Sequence, residues 1–344
     1  MPDASIDWRS VVEPGVYWET PVLQSVTSMI DSSRHVTTNV DVVDRVAGWM
    51  AYEEFIFPRG GSAEMFGVGD DPDRVIDVTM LIAALNFAFT DFETGVKFEV
   101  ERDGVTYSDS EAMFVRIAEA LEAGLPIDQG EYMAQVRRDD LAKIFQGNIE
   151  MPMLDERAEI LNQLGETLVD GYNGGFSSFV RACAPAMYSD GDGILERLIE
   201  EFPRFNDVSE YHGHRVEMFK LAQLGLWSLQ MALGESGEWR LRDLDHMTAF
   251  AGYIVPVALR LMNVISYSES LENKIGEGQM IERDSDDEIE IRAHTLYATA
   301  LLTDSINRIR PAHAQLVIPQ VDYRLWKTYH ATFWPHHLTR TVMY

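Results

Sequence analysis

Apolar side chains recur three and four residues apart along most of the chain, which is the spacing of one face of an α-helix. Residues 39–56 begin with Asn39 or Asp41 as the capping residue. Residues 70–89 are apolar on almost every side after Asp77, which indicates a central, buried helix. Further helical patterns lie at 154–169, 175–183, 193–202, 215–233, 284–309 and 320–330.

One segment follows the spacing of a β-strand instead. VKFEVERDGVTYSD alternates apolar and polar residues on both sides of Asp103-Gly104, and this dipeptide favours a tight hairpin turn. A capping box, Ser108-x-x-Glu111, follows the hairpin and predicts a helix that runs on to Gly124.

These patterns predict a mainly α protein with one small β-hairpin on a helical body. A second capping box, Ser285-x-x-Glu288, opens the long helix near the carboxyl end of the chain. We find no internal repeat, low-complexity tract or long linker, so residues 1–344 are predicted to form a single compact domain.

The segment HMTAFAGYIVPVALRLM, residues 246–262, is apolar enough for a buried helix but contains Gly252, Tyr253 and Pro256. Glycine permits the close approach of another backbone or of a ligand, and proline removes one helical hydrogen bond. We expect the helix to kink or to begin near Pro256. Two interpretations stay open: Tyr253 forms a pocket wall, or the segment makes a tight helix crossing.

A second candidate segment is VDYRLWKTYH near the carboxyl end. If it is helical, Asp322 and Trp326 are neighbours at i,i+4, as are Tyr323 and Lys327. A carboxylate beside two aromatic rings suits a planar ligand that forms hydrogen bonds, such as a base. The alternative is that Asp322 caps the helix or interacts with its dipole.

Charge and composition restrict the function further. The net charge is −28, and no basic stripe is present, which argues against binding to long nucleic acid. A local Arg/His pocket remains compatible with a small phosphorylated ligand. No apolar run is long enough for a membrane span, and the amino-terminal sequence does not have the pattern of a signal peptide, so we expect a cytoplasmic protein.

Metal and thiol chemistry have little support in the sequence. His212-Gly-His214 is the nearest approach to a metal pair but has no obvious third ligand, so we predict structural or surface roles and no metal. The single cysteine, Cys183, excludes a disulfide within the chain; it is either a small buried residue, which we favour, or a catalytic thiol. FPRFND, residues 202–207, is interpreted as a turn whose aromatic residues pack.

The chain resembles the queuosine salvage protein family, the queuosine 5'-phosphate N-glycosylase/hydrolases. The resemblance rests on the order and spacing of many segments, not on one motif. They include SSRHV, ALNFAF, the Asp-Gly hairpin, EALEAGLPI, EMPMLDERAEILNQLG, FPRFNDVSEYHGHRVEMFKLAQ, FAGYIVP, EIRAHTLY and DYRLW. The resemblance implies a mostly helical fold similar to that of DNA glycosylases. It also implies hydrolysis of the N-glycosidic bond of queuosine 5'-phosphate, which releases queuine for tRNA modification, with no cofactor.

The resemblance also implies a set of site residues. Its substrate-binding positions in this chain are His35, Phe250, Gly252, Tyr253, Asp322, Tyr323 and Lys327. Two of them depart from the family pattern. The family has FADY where this chain has FAGY, so Gly252 stands in place of the expected catalytic aspartate, and Lys327 stands in place of a second acid.

A carboxylate near the reacting sugar carbon stabilises the positive charge that develops during N-glycoside hydrolysis. Gly252 cannot supply it. The nearest candidates are Asp322, which we predict as the catalytic residue, and Asp245. The alternative is a protein on the same fold that binds a modified nucleoside without cutting it, or that acts on another substrate.

Overall fold

The computed structural model describes residues 13, 15–55, 71–330, 332 and 334–344. The described residues are mostly helical, which confirms the predicted fold class. The helices are α1 (Pro21–Ile30), α2 (Val40–Met50), α3 (Pro72–Leu85), α4 (Asp109–Glu122), α5 (Gly130–Met133), α6 (Arg138–Ile144), α7 (Leu154–Gly171), α8 (Phe176–Ala182), α9 (Ile194–Glu201), α10 (Lys220–Leu233), α11 (Ile254–Leu261), α12 (Glu269–Gly276), α13 (Asp286–Ile309) and α14 (Ile318–Tyr329). No helix among these residues is long and apolar enough to cross a membrane.

The predicted hairpin is confirmed, but it is not the only pair of strands. Strands β2 (Glu99–Arg102) and β3 (Val105–Ser108) pair antiparallel around Asp103-Gly104. The expectation of one hairpin was wrong, because the described residues contain two further antiparallel pairs. They are β1 (Val36–Thr38) with β6 (Ile265–Tyr267), and β4 (Val208–Tyr211) with β5 (His214–Glu217).

The two predicted capping boxes have different outcomes. Ser285 caps α13 as expected, since its hydroxyl accepts a hydrogen bond from the backbone N–H of Glu288. Ser108 precedes α4 but makes no side-chain cap, because its hydroxyl donates to the Glu99 carboxylate across the hairpin instead. Helix α4 ends at Glu122, and Gly124 follows with a positive φ.

Residues 246–262 do not form one helix. His246 ends a short 3₁₀ turn, residues 247–253 are irregular, and α11 begins only at Ile254. The prediction that the helix begins near Pro256 is therefore confirmed, whereas the helical interpretation of the residues before Ile254 was wrong. Proline is tolerated in the first turn of a helix because the N–H groups there have no intrahelical partner.

The chain folds into two compact units, each assembled from separate stretches of sequence. The first contains the described residues of 1–57, with 207–223 and 243–340. Its core packs α2, α11, α13 and α14 through side chains such as Val46, Ala258, Leu302 and Leu325. The organisation of residues 1–344 as one domain stays a prediction.

The second unit contains the described residues of 58–206, with 224–242 and 341–344. Helix α3 is buried along its whole length from Val75, as its apolar composition predicts. Arg157 is also fully buried, and its guanidinium donates to the backbone carbonyls of Pro152, Leu85, Phe87 and Ala88. Cys183 lies buried in this unit, and burial raises the pKa of its thiol to about 12, which favours the structural interpretation over a reactive thiolate.

Candidate functional site

The irregular segment 247–253 of the first unit is held in place by side chains of neighbouring elements. Gln223, in the first turn of α10, accepts a hydrogen bond from the Thr248 backbone N–H at 2.8 Å and donates to the Thr248 hydroxyl at 2.8 Å. Both residues are fully buried. A segment without helical or strand pairing must satisfy its buried polar groups in another way, and here side chains do so.

Asp322 holds the next part of this segment. Its Oδ2 accepts a hydrogen bond from the Phe250 backbone N–H at 2.8 Å, and the aspartate is only 3% exposed. Burial raises the pKa of Asp322 to about 7, although the Phe250 N–H and the Lys220 ammonium both lower it. Helix α14 begins at Ile318, so Asp322 lies inside the helix and the alternative role as its cap was wrong.

A buried ion pair holds the carbonyl that follows. Arg292 of α13 donates from Nε to the Ala251 carbonyl at 3.1 Å. Its two terminal nitrogens donate to the Asp207 carboxylate at 3.0 and 2.5 Å, and Glu288 lies 3.5 Å from one of them. The side chains of Arg292 and Asp207 are 2% and 3% exposed. The Phe250 N–H and the Ala251 carbonyl are therefore both bound to buried ionisable side chains.

Tyr253 and Gly252 complete the segment. Gly252 is buried, and Tyr253 is partly exposed. The Tyr253 hydroxyl donates to the Thr339 carbonyl at 2.7 Å, and its ring contacts the rings of His336 and His337. Burial raises the pKa of Tyr253, so the phenol stays protonated at neutral pH. The hydrogen bond and the ring contacts hold the side chain in place, which fits the role of a pocket wall.

Tyr323 and Lys327 lie on the more exposed side of α14. The Tyr323 ring stacks on Trp326 with 6.1 Å between ring centroids, and Trp326 stacks on His330 at 4.8 Å. Lys327 is exposed, and its ammonium lies 5.8 Å from the Tyr323 centroid, a cation–π distance. The predicted i,i+4 relation of Tyr323 and Lys327 is thereby confirmed.

The backbone around His35 lies in a carboxylate cradle. Glu290 of α13 is fully buried and accepts hydrogen bonds from the consecutive N–H groups of Arg34, His35 and Val36 at 2.6–3.0 Å. The Tyr211 hydroxyl donates to the same carboxylate at 2.8 Å. This buried charge is thus satisfied by four donors, and it fixes the turn that leads into β1.

The side chain of His35 faces an acid of the same helix. Its Nδ1 lies 3.5 Å from an oxygen of the buried Asp287, and the other oxygen of Asp287 accepts a hydrogen bond from Lys274 at 2.5 Å. The Ser268 hydroxyl lies 3.5 Å from the same Nδ1. The imidazole is about one-third exposed, which leaves part of its ring accessible to a ligand.

The structure joins some of the expected site residues directly. Phe250 and Asp322 are hydrogen-bonded, and Tyr323 follows Asp322 in α14. His35 is held by Glu290 of α13, two residues before the arginine that binds the Ala251 carbonyl. A single pocket that contains His35 together with Phe250, Asp322 and Tyr323 stays a prediction.

Other residues singled out in the sequence are engaged elsewhere. Asp245 is buried, contacts His246 at 3.1 Å and accepts a hydrogen bond from the Glu13 backbone N–H. His212 and His214 are exposed at the turn of the β4–β5 hairpin, where His212 lies 3.0 Å from Asp286. No cluster of three or more metal-ligating side chains occurs among the described residues.

Sequence reasoning did not identify four buried residues of this site. They are Asp207, Gln223, Glu290 and Arg292. Asp207 had been included in a turn with a packing role. The sequence signal was in α13, where Glu290 and Arg292 alternate with isoleucines. Both charged side chains are buried in the fold, and a buried charge requires a partner.

We expect Glu290→Gln to lower the stability of the protein by ~3 kcal/mol, because the amide group presents donors where backbone donors already converge. The melting temperature should fall clearly, and hydrogen exchange at residues 34–36 should accelerate. Glu282→Gln, at an exposed position just before α13, is the matched control and should melt like the unmodified protein. Equal melting temperatures for both variants would contradict the stabilising role of the Glu290 carboxylate.

The chain is similar in sequence to known proteins. The queuosine salvage protein family matches residues 68–344. A protein of Sphaerobacter thermophilus named queuosine 5'-phosphate N-glycosylase/hydrolase is 30% identical over 94% of this chain and 97% of its own length. Proteins of the same name are 26% identical in Bos taurus, over 82% and 80%, and 29% in Schizosaccharomyces pombe, over 68% and 70%. The chain belongs to the queuosine salvage protein family.

Proposed function

We propose that this protein hydrolyses the N-glycosidic bond of queuosine 5'-phosphate and releases queuine. Family membership supports the substrate class, and relatives in bacteria and eukaryotes carry the name of this activity. The observation that carries the proposal is the direct bond between Asp322 and the Phe250 backbone. It brings a buried carboxylate to the segment that contains the expected substrate-binding residues.

Asp322 is the carboxylate best suited to the reaction. One of its oxygens binds the Phe250 N–H, and the other makes no hydrogen bond to the described part of the chain. Hydrolysis develops positive charge on the ribose, and a buried carboxylate stabilises that charge more strongly than one in water. Asp245 suits this role less well, because both of its oxygens are engaged by His246 and Glu13.

The remaining residues bind and orient the substrate. Phe250, Tyr253 and Tyr323 supply aromatic surface for the base or the sugar, and such rings favour planar ligands. His35 is held at its backbone by Glu290 and at Nδ1 by Asp287, which suits it to a polar group of the nucleotide. Lys327 contacts the Tyr323 ring, at a position where the resemblance implies an acid.

We expect the purified protein to release free queuine from queuosine 5'-phosphate, detected by liquid chromatography and mass spectrometry. Queuosine without the phosphate and tRNA that contains queuosine serve as comparison substrates. The tRNA should yield no queuine, since the net charge of −28 opposes binding to a polyanion. Tight binding of the nucleotide without any product would overturn the proposal and indicate a binding protein on this fold.

A further inference from the structure

We propose that Arg292 is a positioning residue that sets the place of residues 250–253 in the site. This inference rests on the proposed function, because these residues are the ones assigned to the substrate. Arg292 itself lies in α13 and donates to the Ala251 carbonyl of the segment. Its action on the substrate would therefore pass through the backbone of the segment.

The contact is well suited to fixing a backbone position. Asp207 binds both terminal nitrogens of Arg292, so the guanidinium plane cannot rotate, and Nε then points at the Ala251 carbonyl. Asp207 is fixed in turn, since its carbonyl accepts from the Met218 N–H at 3.0 Å and its carboxylate from the Lys220 N–H at 3.3 Å. The planar fork of arginine permits this arrangement, and the single ammonium of lysine does not.

The segment depends on such contacts because it has little pairing of its own. Residues 247–253 form neither helix nor strand. Gln223 holds Thr248, Asp322 holds the Phe250 N–H, and Arg292 holds the Ala251 carbonyl. If the last of these contacts is lost, the Ala251–Gly252 peptide, which contains this carbonyl, is no longer fixed. The backbone before it can then shift, which weakens the hydrogen bond from the Phe250 N–H to Asp322.

Arg292→Lys tests the proposal because it keeps the charge beside Asp207 but cannot also reach the Ala251 carbonyl. We expect kcat/KM for queuosine 5'-phosphate to fall by about 10²-fold, as small displacements of catalytic geometry do. Arg157→Lys is the matched control, since Arg157 is an equally buried arginine that donates to backbone carbonyls away from this segment. It should keep the kcat/KM of the unmodified protein, measured well below its melting temperature.

A second measurement does not require turnover. The melting temperature of a protein relative to that of its Asp322→Asn variant falls with rising pH between the unfolded and the folded pKa of Asp322. The upper end of this steep region marks the folded pKa. The Phe250 N–H and Lys220 are the groups that lower this pKa against the effect of burial. Loss of the Phe250 N–H should therefore raise this pKa and move the upper end of the steep region to higher pH when Arg292→Lys is the background.

The outcomes distinguish a positioning role of Arg292 from a purely structural one. A lower kcat/KM together with an upward shift of the steep region supports the positioning role. A fall in melting temperature alone, with kcat/KM and the steep region unchanged, overturns it and leaves Arg292 as a structural residue. If the unmodified protein releases no queuine, the proposed function fails, and the melting measurement still decides the role of Arg292. If Arg292→Lys does not fold, Asp207→Asn takes its place with the same measurements and the same criteria.

Discussion

Asp322→Asn is expected to lower kcat for queuosine 5'-phosphate by ~10²–10³-fold, the usual effect of removing one group that stabilises developing charge. Asparagine keeps the shape of the side chain, and its carbonyl oxygen can still accept the Phe250 N–H. The variant should therefore fold and bind the nucleotide but release queuine very slowly. Asp245→Asn is the comparison that locates the carboxylate. A large loss there, with Asp322→Asn still active, would transfer the catalytic role to Asp245.

The same assignment determines how activity depends on pH. Burial raises the pKa of Asp322 to about 7, and the ionised form is the one that stabilises the ribose cation. Activity should consequently rise with pH through about 7, where it is half-maximal, and level off roughly one pH unit above. The stability of the protein depends on pH in the opposite direction. A pKa that is higher in the folded state than in the unfolded state stabilises the fold below the unfolded pKa, and this contribution is lost as the pH rises through the folded pKa. The activity of the Asp322→Asn variant should not show the rise with pH that Asp322 causes.

Local sequence signals predicted the parts of the fold that local interactions determine. The Asp103-Gly104 hairpin and the Ser285 cap are both confirmed, because each forms between residues close together in the chain. Ser108 shows the limit of such signals, since a competing partner across the hairpin removes its cap. The pairing of β1 with β6 joins residues more than two hundred positions apart, and no local pattern indicates a partner at that distance.

The site shows the same division between local and distant information. The glycine and proline of residues 246–262 indicated that the helix kinks or begins near Pro256, and the residue spacing indicated helix α14. The contacts that determine the geometry of the site come from distant parts of the chain. Asp322 binds a backbone N–H 72 residues away, and Arg292 binds an acid 85 residues away. Sequence patterns can show that a buried charge needs a partner, but only the fold shows which partner it has.

Gly252→Asp is expected to raise kcat, because it returns a carboxylate to the position where the family pattern has one. The expected gain is ~10²–10³-fold, provided that the ribose lies as in relatives with aspartate there. Gly252→Asn is the matched control: it adds nearly the same volume to this buried position without the charge, and should give no gain. Release of queuine is the measurement, with a relative that has aspartate at this position as the reference.

Lys327 determines how this experiment is best designed. The resemblance implies a second acid at this position. The exposed ammonium of Lys327 lies above the Tyr323 ring, so a new aspartate could pair with it instead of facing the substrate. The double variant Gly252→Asp with Lys327→Asp removes that partner and should show the larger gain. If the unmodified protein already matches the reference, the aspartate is dispensable here and Asp322 alone supplies the charge. If both restored variants bind the nucleotide without a gain in turnover, and the unmodified protein is slower than the reference, queuosine 5'-phosphate is given up as the substrate.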